Sequence, residues 1–211
     1  MLWIWLTISL LLSYLLGSIP TAVWIGKSFY GIDVRQHGSG NAGATNTFRV
    51  LGKRPGIVVL LIDVLKGFAA VVVAGEIMHL AGIDELSWIK IVAGLVAVVG
   101  HIFPIFAQFK GGKGVATILG AVFGINPLAS LIALIVFSII LITTHYVSLG
   151  SILASMTFPL IVFFIQHEPS IWMKSFSIFV PIMMILTHRP NIERLRHGKE
   201  NKTYIFKKPD N

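Results

Sequence analysis

Three segments of the sequence gather the residue types that hold phosphate. The first runs Gly38-Ser39-Gly40-Asn41-Ala42-Gly43-Ala44-Thr45-Asn46-Thr47-Phe48-Arg49. Its glycines let backbone amides come close to an anion, its hydroxyls and side-chain amides add donors, and Arg49 supplies a guanidinium suited to a bidentate phosphate contact. The segment does not match the Walker nucleotide-binding pattern, and a polar linker is its alternative reading. The second segment runs from Gly100-His101 through Phe103-Pro104 to Lys110-Gly111-Gly112-Lys113-Gly114-Val115-Ala116-Thr117. A helix starting at Val115 would turn its first amides, together with two ammonium groups, toward one anion. The third is His188-Arg189-Pro190-Asn191-Ile192-Glu193-Arg194-Leu195, where His188 and Asn191 share a face only if the helix continues past Pro190.

Two further features carry charge or a titratable group into apolar surroundings. His101 is placed about two turns before the glycine segment, inside an apolar stretch, where an ionisable group is a functional candidate by default. General base and hydrogen-bond donor are its natural roles, and satisfying a neighbouring helix is the alternative. Asp63 and Lys66, three apart, fall on one helical face and either pair with each other or support a polar site. Thr143, Thr144, His145, Ser148, Ser151 and Ser155 add hydroxyls and a ring near one end of the later apolar stretches, where such groups often bond helix to helix.

The elements that must position these residues are membrane helices. Of 211 residues, 55% are hydrophobic and only 12% charged, and the mean hydropathy is +0.82. Stretches 1–26, 91–109 and 114–167 contain no Asp, Glu, Lys or Arg. This composition excludes a secreted disulfide scaffold, a nucleic-acid enzyme and a large aqueous domain. The sequence has no cysteine, hence no disulfide and no thiol nucleophile. The first stretch lacks a basic leader and an Ala-x-Ala-like cleavage site, and reads as a permanent helix rather than a signal peptide.

A bilayer crossing takes about 20 apolar residues. The candidates are Leu2–Ile25, Gly56–Leu80, Ile89–Phe109, Val115–Ile125, Leu128–Tyr146, Ile152–Ile165 and Ile171–Thr187. Breaks are expected at Asn126-Pro127, Ser148-Leu149-Gly150-Ser151 and Gln166–Ser170. Val115–Ile125 is short, so length alone leaves six or seven spans. The concentration of Lys and Arg on the cytoplasmic side decides between them. With the N-terminus outside, seven spans put 14 of the 17 basic residues on one face, including Lys207 and Lys208 of the tail. Six spans would export the seven basic residues of the tail. The expectation is an all-α, polytopic membrane protein with seven transmembrane helices, N-terminus outside and C-terminus in the cytoplasm, forming a single domain over residues 1–211. That topology brings all the phosphate-type donors to the cytoplasmic face, and the net charge of +8 needs no nucleic acid to explain it.

The blocks Gly38–Arg49, Gly100–Thr117 and His188–Leu195, with Gly17-Ser18-Ile19-Pro20 and Asp63-x-x-Lys66-Gly67, closely resemble the bacterial, membrane-embedded acyl-phosphate:glycerol-3-phosphate acyltransferases of the Y type. The resemblance covers essentially the whole chain. It implies a seven-helix enzyme of the bacterial cytoplasmic membrane, with its active site facing the cytoplasm. The implied reaction transfers an acyl group from acyl phosphate to the sn-1 hydroxyl of glycerol 3-phosphate, giving lysophosphatidic acid and inorganic phosphate. Ser39, Arg49 and Asn191 would help hold the phosphate of glycerol 3-phosphate, and Lys110 and Lys113 with Gly111, Gly112 and Gly114 would engage one or both phosphates. Gly38, Gly40, Asn41, Thr45, Asn46 and Thr117 complete the substrate-binding set, and His101 and His188 would line the site. His101, Ser39, Arg49 and Lys113 form the catalytic set, with His101 or a substrate phosphate receiving the hydroxyl proton. Acyl phosphate carries its own leaving group, so no covalent acyl-enzyme, metal or cofactor is expected. The expected partners are glycerol 3-phosphate, acyl phosphate and membrane lipid, with no nucleic acid and a monomeric chain. A transporter of organic phosphates is the competing class, and an acyl-CoA-dependent enzyme is the nearest rival within catalysis.

Overall fold

The architecture is taken from a computed structural model that describes residues 2–83 and 87–204. Lys207 and Lys208 lie outside the described residues. Among those described, every regular element is helical. Ten α-helices follow in order: α1 (Leu2–Gly17), α2 (Thr21–Tyr30), α3 (Ala44–Leu51), α4 (Lys53–Leu80), α5 (Ser87–Ile102), α6 (Val115–Ile125), α7 (Pro127–Thr144), α8 (Val147–Leu160), α9 (Ile171–Thr187) and α10 (Arg189–Arg196).

The stretch Leu2–Ile25, expected as one span, is broken. Pro20 lacks an amide proton and disfavours helix at Ile19, so α1 stops at Gly17 and α2 departs at 41°. That break turns the Ile19 carbonyl out of the helix ladder, and the Lys66 ammonium donates to it at 2.9 Å. The third span also ends early: α5 stops at Ile102, and Phe103–Gly114 folds back over its end. His101 therefore sits in the last turn of α5, not two turns before the loop. The break expected at Ser148–Ser151 is absent. Those residues lie inside α8, where Gly150 packs on Phe137 of α7 and the Ser151 hydroxyl donates to the Val147 carbonyl. The chain turns earlier, at His145 (φ 64°) and Tyr146. Val115–Ile125 and Ile171–Thr187 form as expected, and α10 leaves α9 at 64° with Pro190 in its first turn.

The chain divides into two compact units, residues 1–127 and 128–211. In the first, α4 is central and packs on α1, α3, α5 and α6. Approach is close where side chains vanish: a Cβ on Gly67 would strike the Thr117 carbonyl of α6, and one on Gly120 the Val64 carbonyl of α4. In the second unit α8 packs on α9, with Phe158 and Phe176 edge to face at 5.6 Å.

Large apolar side chains stand exposed along these helices, among them Leu61 of α4 and Ile135 of α7. Water would reject such surfaces and acyl chains accept them. Among the described residues, four helices are long and apolar enough to cross a membrane, and up to six segments are if α1–α2 and α9–α10 each count as one bent span. The 11 residues of α6 measure about 16 Å, shorter than a full crossing.

Candidate functional site

Helix α3 begins where the first glycine segment ends. Its entry is organised by Asn46, a side chain only 2% exposed. The Asn46 amide nitrogen donates to the carbonyls of Val34 (2.8 Å) and His37 (3.0 Å), and its oxygen accepts from the Ser39 amide (2.8 Å) and hydroxyl (3.1 Å). All four hydrogen-bonding positions of the side chain are in use. Asn46 thereby fixes the shape of the loop that carries Ser39. Thr45 and Asn41 are half-buried on the same segment, and Ser39, Gly38, Gly40 and Arg49 are exposed. The amides of Ala44, Thr45 and Asn46 form the first turn of α3, which helix geometry leaves without in-helix acceptors.

The loop before α3 is pinned by residues the sequence reading passed over. Asp33 accepts from the Arg35 guanidinium at 2.9 and 2.7 Å and from the Arg35 amide at 3.1 Å, with Lys27 at 3.3 Å. The Arg35 hydrogen bonds hold the Asp33 carboxyl well below the usual carboxylate range. Arg35 also donates to the Ala107 carbonyl at 2.9 Å, which ties this loop to the segment after α5. The legible signal was Asp-x-Arg, a short pattern that local turns reuse freely.

In the second glycine segment two amides close the chain reversal and the first turn of α6 keeps its own, as the start of a helix at Val115 implies. The Gly111 amide donates to Ile102 and the Gly112 amide to His101, each carbonyl at 3.1 Å. Both amides thus serve the end of α5 and do not point at an anion. The donors left for an anion are the first-turn amides of α6, since its first in-helix bond runs from Ile118 to Gly114. The glycines earn their place by close approach: a Cβ on Gly112 would strike His101 Nε2 and lie 3.2 Å from the Ala42 carbonyl. The structure therefore brings the two glycine segments together at Ala42 and Gly112, with the His101 ring against that junction. Lys110 is exposed, Lys113 is half-buried, and Thr117 is fully buried in the first turn of α6.

Behind His101 lies a buried polar cluster. Asp63 Oδ1 accepts from Lys66 Nζ at 2.8 Å and from Thr21 Oγ1 at 3.1 Å, and it faces His101 Nδ1 at 3.7 Å. Asp63 and Lys66 do pair, as one of the two sequence readings has it, and they also face the candidate site.

The third segment belongs to the second unit. His188, 3% exposed, lies at the bend between α9 and α10 with Nδ1 2.9 Å from the Met184 carbonyl. Asn191, in the first turn of α10, donates to Glu200 Oε1 at 2.6 Å. Glu200 also accepts from Ser148 (2.9 Å) and Arg194 (2.7 Å), and so straps the tail to α8 and α10. Sequence reasoning missed Glu200 by treating the tail as a basic strip, although it is a carboxylate among cations.

A family model described as glycerol-3-phosphate acyltransferase matches residues 7–198. The glycerol-3-phosphate acyltransferase of Fusobacterium nucleatum is 44% identical over 193 residues, covering 92% of this chain and 95% of the relative. That of Trichlorobacter lovleyi is 45% identical over 190 residues, covering 90% and 93%. Among solved structures, PlsY, an integral membrane glycerol 3-phosphate acyltransferase, matches in its glycerol 3-phosphate form with a TM-score of 0.85 and 38% identity, over 94% of this chain and 96% of that one. Its lysophosphatidic acid form matches with a TM-score of 0.81 and 37% identity, over 94% and 95%.

Proposed function

Because this chain belongs to the glycerol-3-phosphate acyltransferase family, we propose that it transfers a fatty acyl group from acyl phosphate to the sn-1 hydroxyl of glycerol 3-phosphate. The products are lysophosphatidic acid and inorganic phosphate, at the first step of membrane phospholipid synthesis. The hydroxyl oxygen attacks the acyl carbon, the bond from that carbon to the phosphate oxygen breaks, and phosphate departs with the electron pair. The hydroxyl proton passes to His101 or to a phosphate oxygen. No acyl-enzyme forms, because the mixed anhydride already carries a good leaving group. The chain's task is to orient two phosphorylated molecules and offset their charge.

The observation that carries this reading is the meeting of two anion-type segments beside one histidine, at Ala42, Gly112 and His101. Ser39 and Arg49 are assigned to the phosphate of glycerol 3-phosphate, with Gly38, Gly40, Asn41 and Thr45 shaping that loop. Lys110, Lys113 and the start of α6 are assigned to phosphate contacts, with Gly111, Gly112, Gly114 and Thr117 placing them. His188 and Asn191 stay in the substrate-binding set by their family motif alone. The chain, 1–211, is proposed to work as one monomeric domain of the bacterial cytoplasmic membrane, crossing it seven times with α6 as the short segment. The N-terminus lies outside and the site faces the cytoplasm, on the basic side of the protein.

The test is to incubate purified protein with palmitoyl phosphate and glycerol 3-phosphate, without CoA or metal, and to measure phosphate release and lysophosphatidic acid together. Equal formation of both, lost in folded Ser39→Ala and Arg49→Ala proteins, is the expected result. Folded protein that binds glycerol 3-phosphate and makes no product would overturn it.

A further inference from the structure

The turn Val34–Gln36, which the acyl-transfer step does not use directly, is held from three sides. The Val34 side chain is fully buried in a core with Ala22 and Val59, and its carbonyl accepts from Asn46 Nδ2 at 2.8 Å. Arg35 reaches the other way. Its Nη1 donates to the Ala107 carbonyl at 2.9 Å, and the Lys110 amide donates to that same carbonyl at 3.2 Å. A path of hydrogen bonds therefore runs from Ser39 through Asn46 to Val34, and from Arg35 next to it through Ala107 to the backbone of Lys110.

The chemistry of Arg35 suits a tie rather than a ligand. Asp33 takes its Nε and Nη2 at 2.9 and 2.7 Å, one on each carboxylate oxygen, which is the forked contact a phosphate would otherwise receive. The Arg35 and Asp33 side chains are only 18% and 11% exposed. The guanidinium charge is offset within the protein, and the rigid plane of the fork fixes where Nη1 points. The far end of the tie needs such a hold. Gln108 and Phe109 have φ 56° and 58°, a left-handed pair that residues other than glycine adopt only at a cost, and the Arg35 contact falls on the residue just before them.

We propose that Arg35 is a positioning residue for acyl transfer: locked by Asp33, it sets the separation between the loop that carries Ser39 and the turn that carries Lys110, and so between the two phosphorylated substrates. This inference rests on the acyl-transfer reading above, which assigns Ser39 to the phosphate of glycerol 3-phosphate and Lys110 to phosphate contacts. Reactants held by two separate loops are sensitive to the spacing of those loops, because a placement error of about 1 Å can cost a hundredfold in rate. Neither loop has to lose its own phosphate for that to happen.

The test separates a tie from a charge. Arg35→Lys keeps the charge and loses the fork, so it does not rescue a residue that acts by geometry. Arg35→Lys and Arg35→Met are each expected to lower kcat about tenfold to a hundredfold, while the dissociation constant for glycerol 3-phosphate stays within about threefold of wild type. Asp33→Asn unlocks the guanidinium and should also lower kcat. The double variant Asp33→Asn/Arg35→Met should be no slower than Arg35→Met alone, since the two residues act as one unit. Distance is read without turnover. The chain has no cysteine, so spin labels at Gln36→Cys and Gln108→Cys, both exposed and outside the assigned site, report the separation of the two segments in detergent. The labelled pair in an otherwise wild-type chain is expected to keep its turnover and give one narrow distribution, and Arg35→Met a broader one. Full activity in Arg35→Lys, or tighter binding of glycerol 3-phosphate by Asp33→Asn, would show a charge at work and overturn the proposal. So would an unchanged label separation in folded Arg35→Met protein. Should Arg35→Met fail to fold, Asp33→Asn carries both the kinetic and the distance measurement. If the separation broadens as expected and wild-type protein makes no lysophosphatidic acid, the acyl-transfer reading falls while the tie between the segments stands.

Discussion

Asn46 Oδ1 accepts both the amide and the hydroxyl of Ser39, at 2.8 and 3.1 Å, so the residue seven positions ahead in sequence is held by the first turn of the helix that follows it. Removing this side chain leaves two carbonyls and the Ser39 donors without their buried partner. Each lost hydrogen bond is worth about 1 kcal/mol. Asn46→Ala is accordingly expected to lower stability by roughly 2–4 kcal/mol and to raise the KM for glycerol 3-phosphate more than that for acyl phosphate. Asn46→Asp retains the acceptor and turns the donating end into an oxygen facing the Val34 and His37 carbonyls, so it should rescue little. Thermal unfolding in detergent together with two-substrate kinetics checks both statements. An Asn46→Ala protein with wild-type KM for glycerol 3-phosphate would count against the role assigned to Ser39.

Gly112 and Gly31 separate steric need from conformational need. Gly31 sits at φ 64° with nothing within 4 Å of a built Cβ, so Gly31→Ala meets only the cost of a left-handed alanine, about 1 kcal/mol. A Cβ on Gly112 instead strikes His101 Nε2. Gly112→Ala should therefore lower kcat/KM at least about tenfold by displacing the ring or the loop, since an error of 1 Å in placement can cost a hundredfold. Gly31→Ala should stay within about twofold of wild type. Comparable kinetics for the two variants would mean that the Gly112–His101 contact is not part of the reacting geometry.

These two cases show what the sequence can and cannot disclose. The membrane helices are legible because burial in lipid demands long apolar runs, and Val115–Ile125 and Ile171–Thr187 appear with the predicted ends. The glycine-rich segments are legible as chemistry because few other structures need such residues so densely. Their amides are not: the engagement of the Gly111 and Gly112 amides by the end of α5 depends on a chain reversal that no local pattern specifies. The same holds for Asn46, whose four hydrogen bonds to Val34, His37 and Ser39 depend on the path of the loop before α3. Pro20 was visible in the sequence, but the apolar run around it masked the break. Ser148–Ser151 misled in the opposite direction, because small polar residues pack between helices as readily as they form turns.

Glu200 makes a prediction about acid stability. Burial pushes its carboxyl up, but hydrogen bonds from Asn191, Arg194 and Ser148 outweigh burial and hold the pKa below its ordinary 4.5. A carboxyl depressed on folding stabilises the folded state fully above its unfolded value. That stabilisation is lost as pH falls through the folded value. The stability gap between wild type and Glu200→Gln should therefore be constant from pH 8 to about pH 6 and should narrow below about pH 4.5. Denaturation midpoints across that range measure it, and a gap that widened toward low pH would contradict the assigned direction.

Lys66 and Asp63 can be told apart by removing them singly and together. Lys66→Met leaves the Asp63 carboxylate buried without its ammonium partner and frees the Ile19 carbonyl from its 2.9 Å contact. Breaking one side of a buried pair costs roughly 3–5 kcal/mol, because the remaining charge stays desolvated. Neutralising both, in Asp63→Asn/Lys66→Met, removes that unpaired charge and should restore a large part of the stability. Thermal unfolding in detergent of the Lys66→Met and Asp63→Asn/Lys66→Met proteins measures the difference, because the coupling of two groups in contact is read from the failure of their effects to add. A double variant no more stable than Lys66→Met would mean that the desolvated Asp63 carboxylate is not what destabilises the single variant.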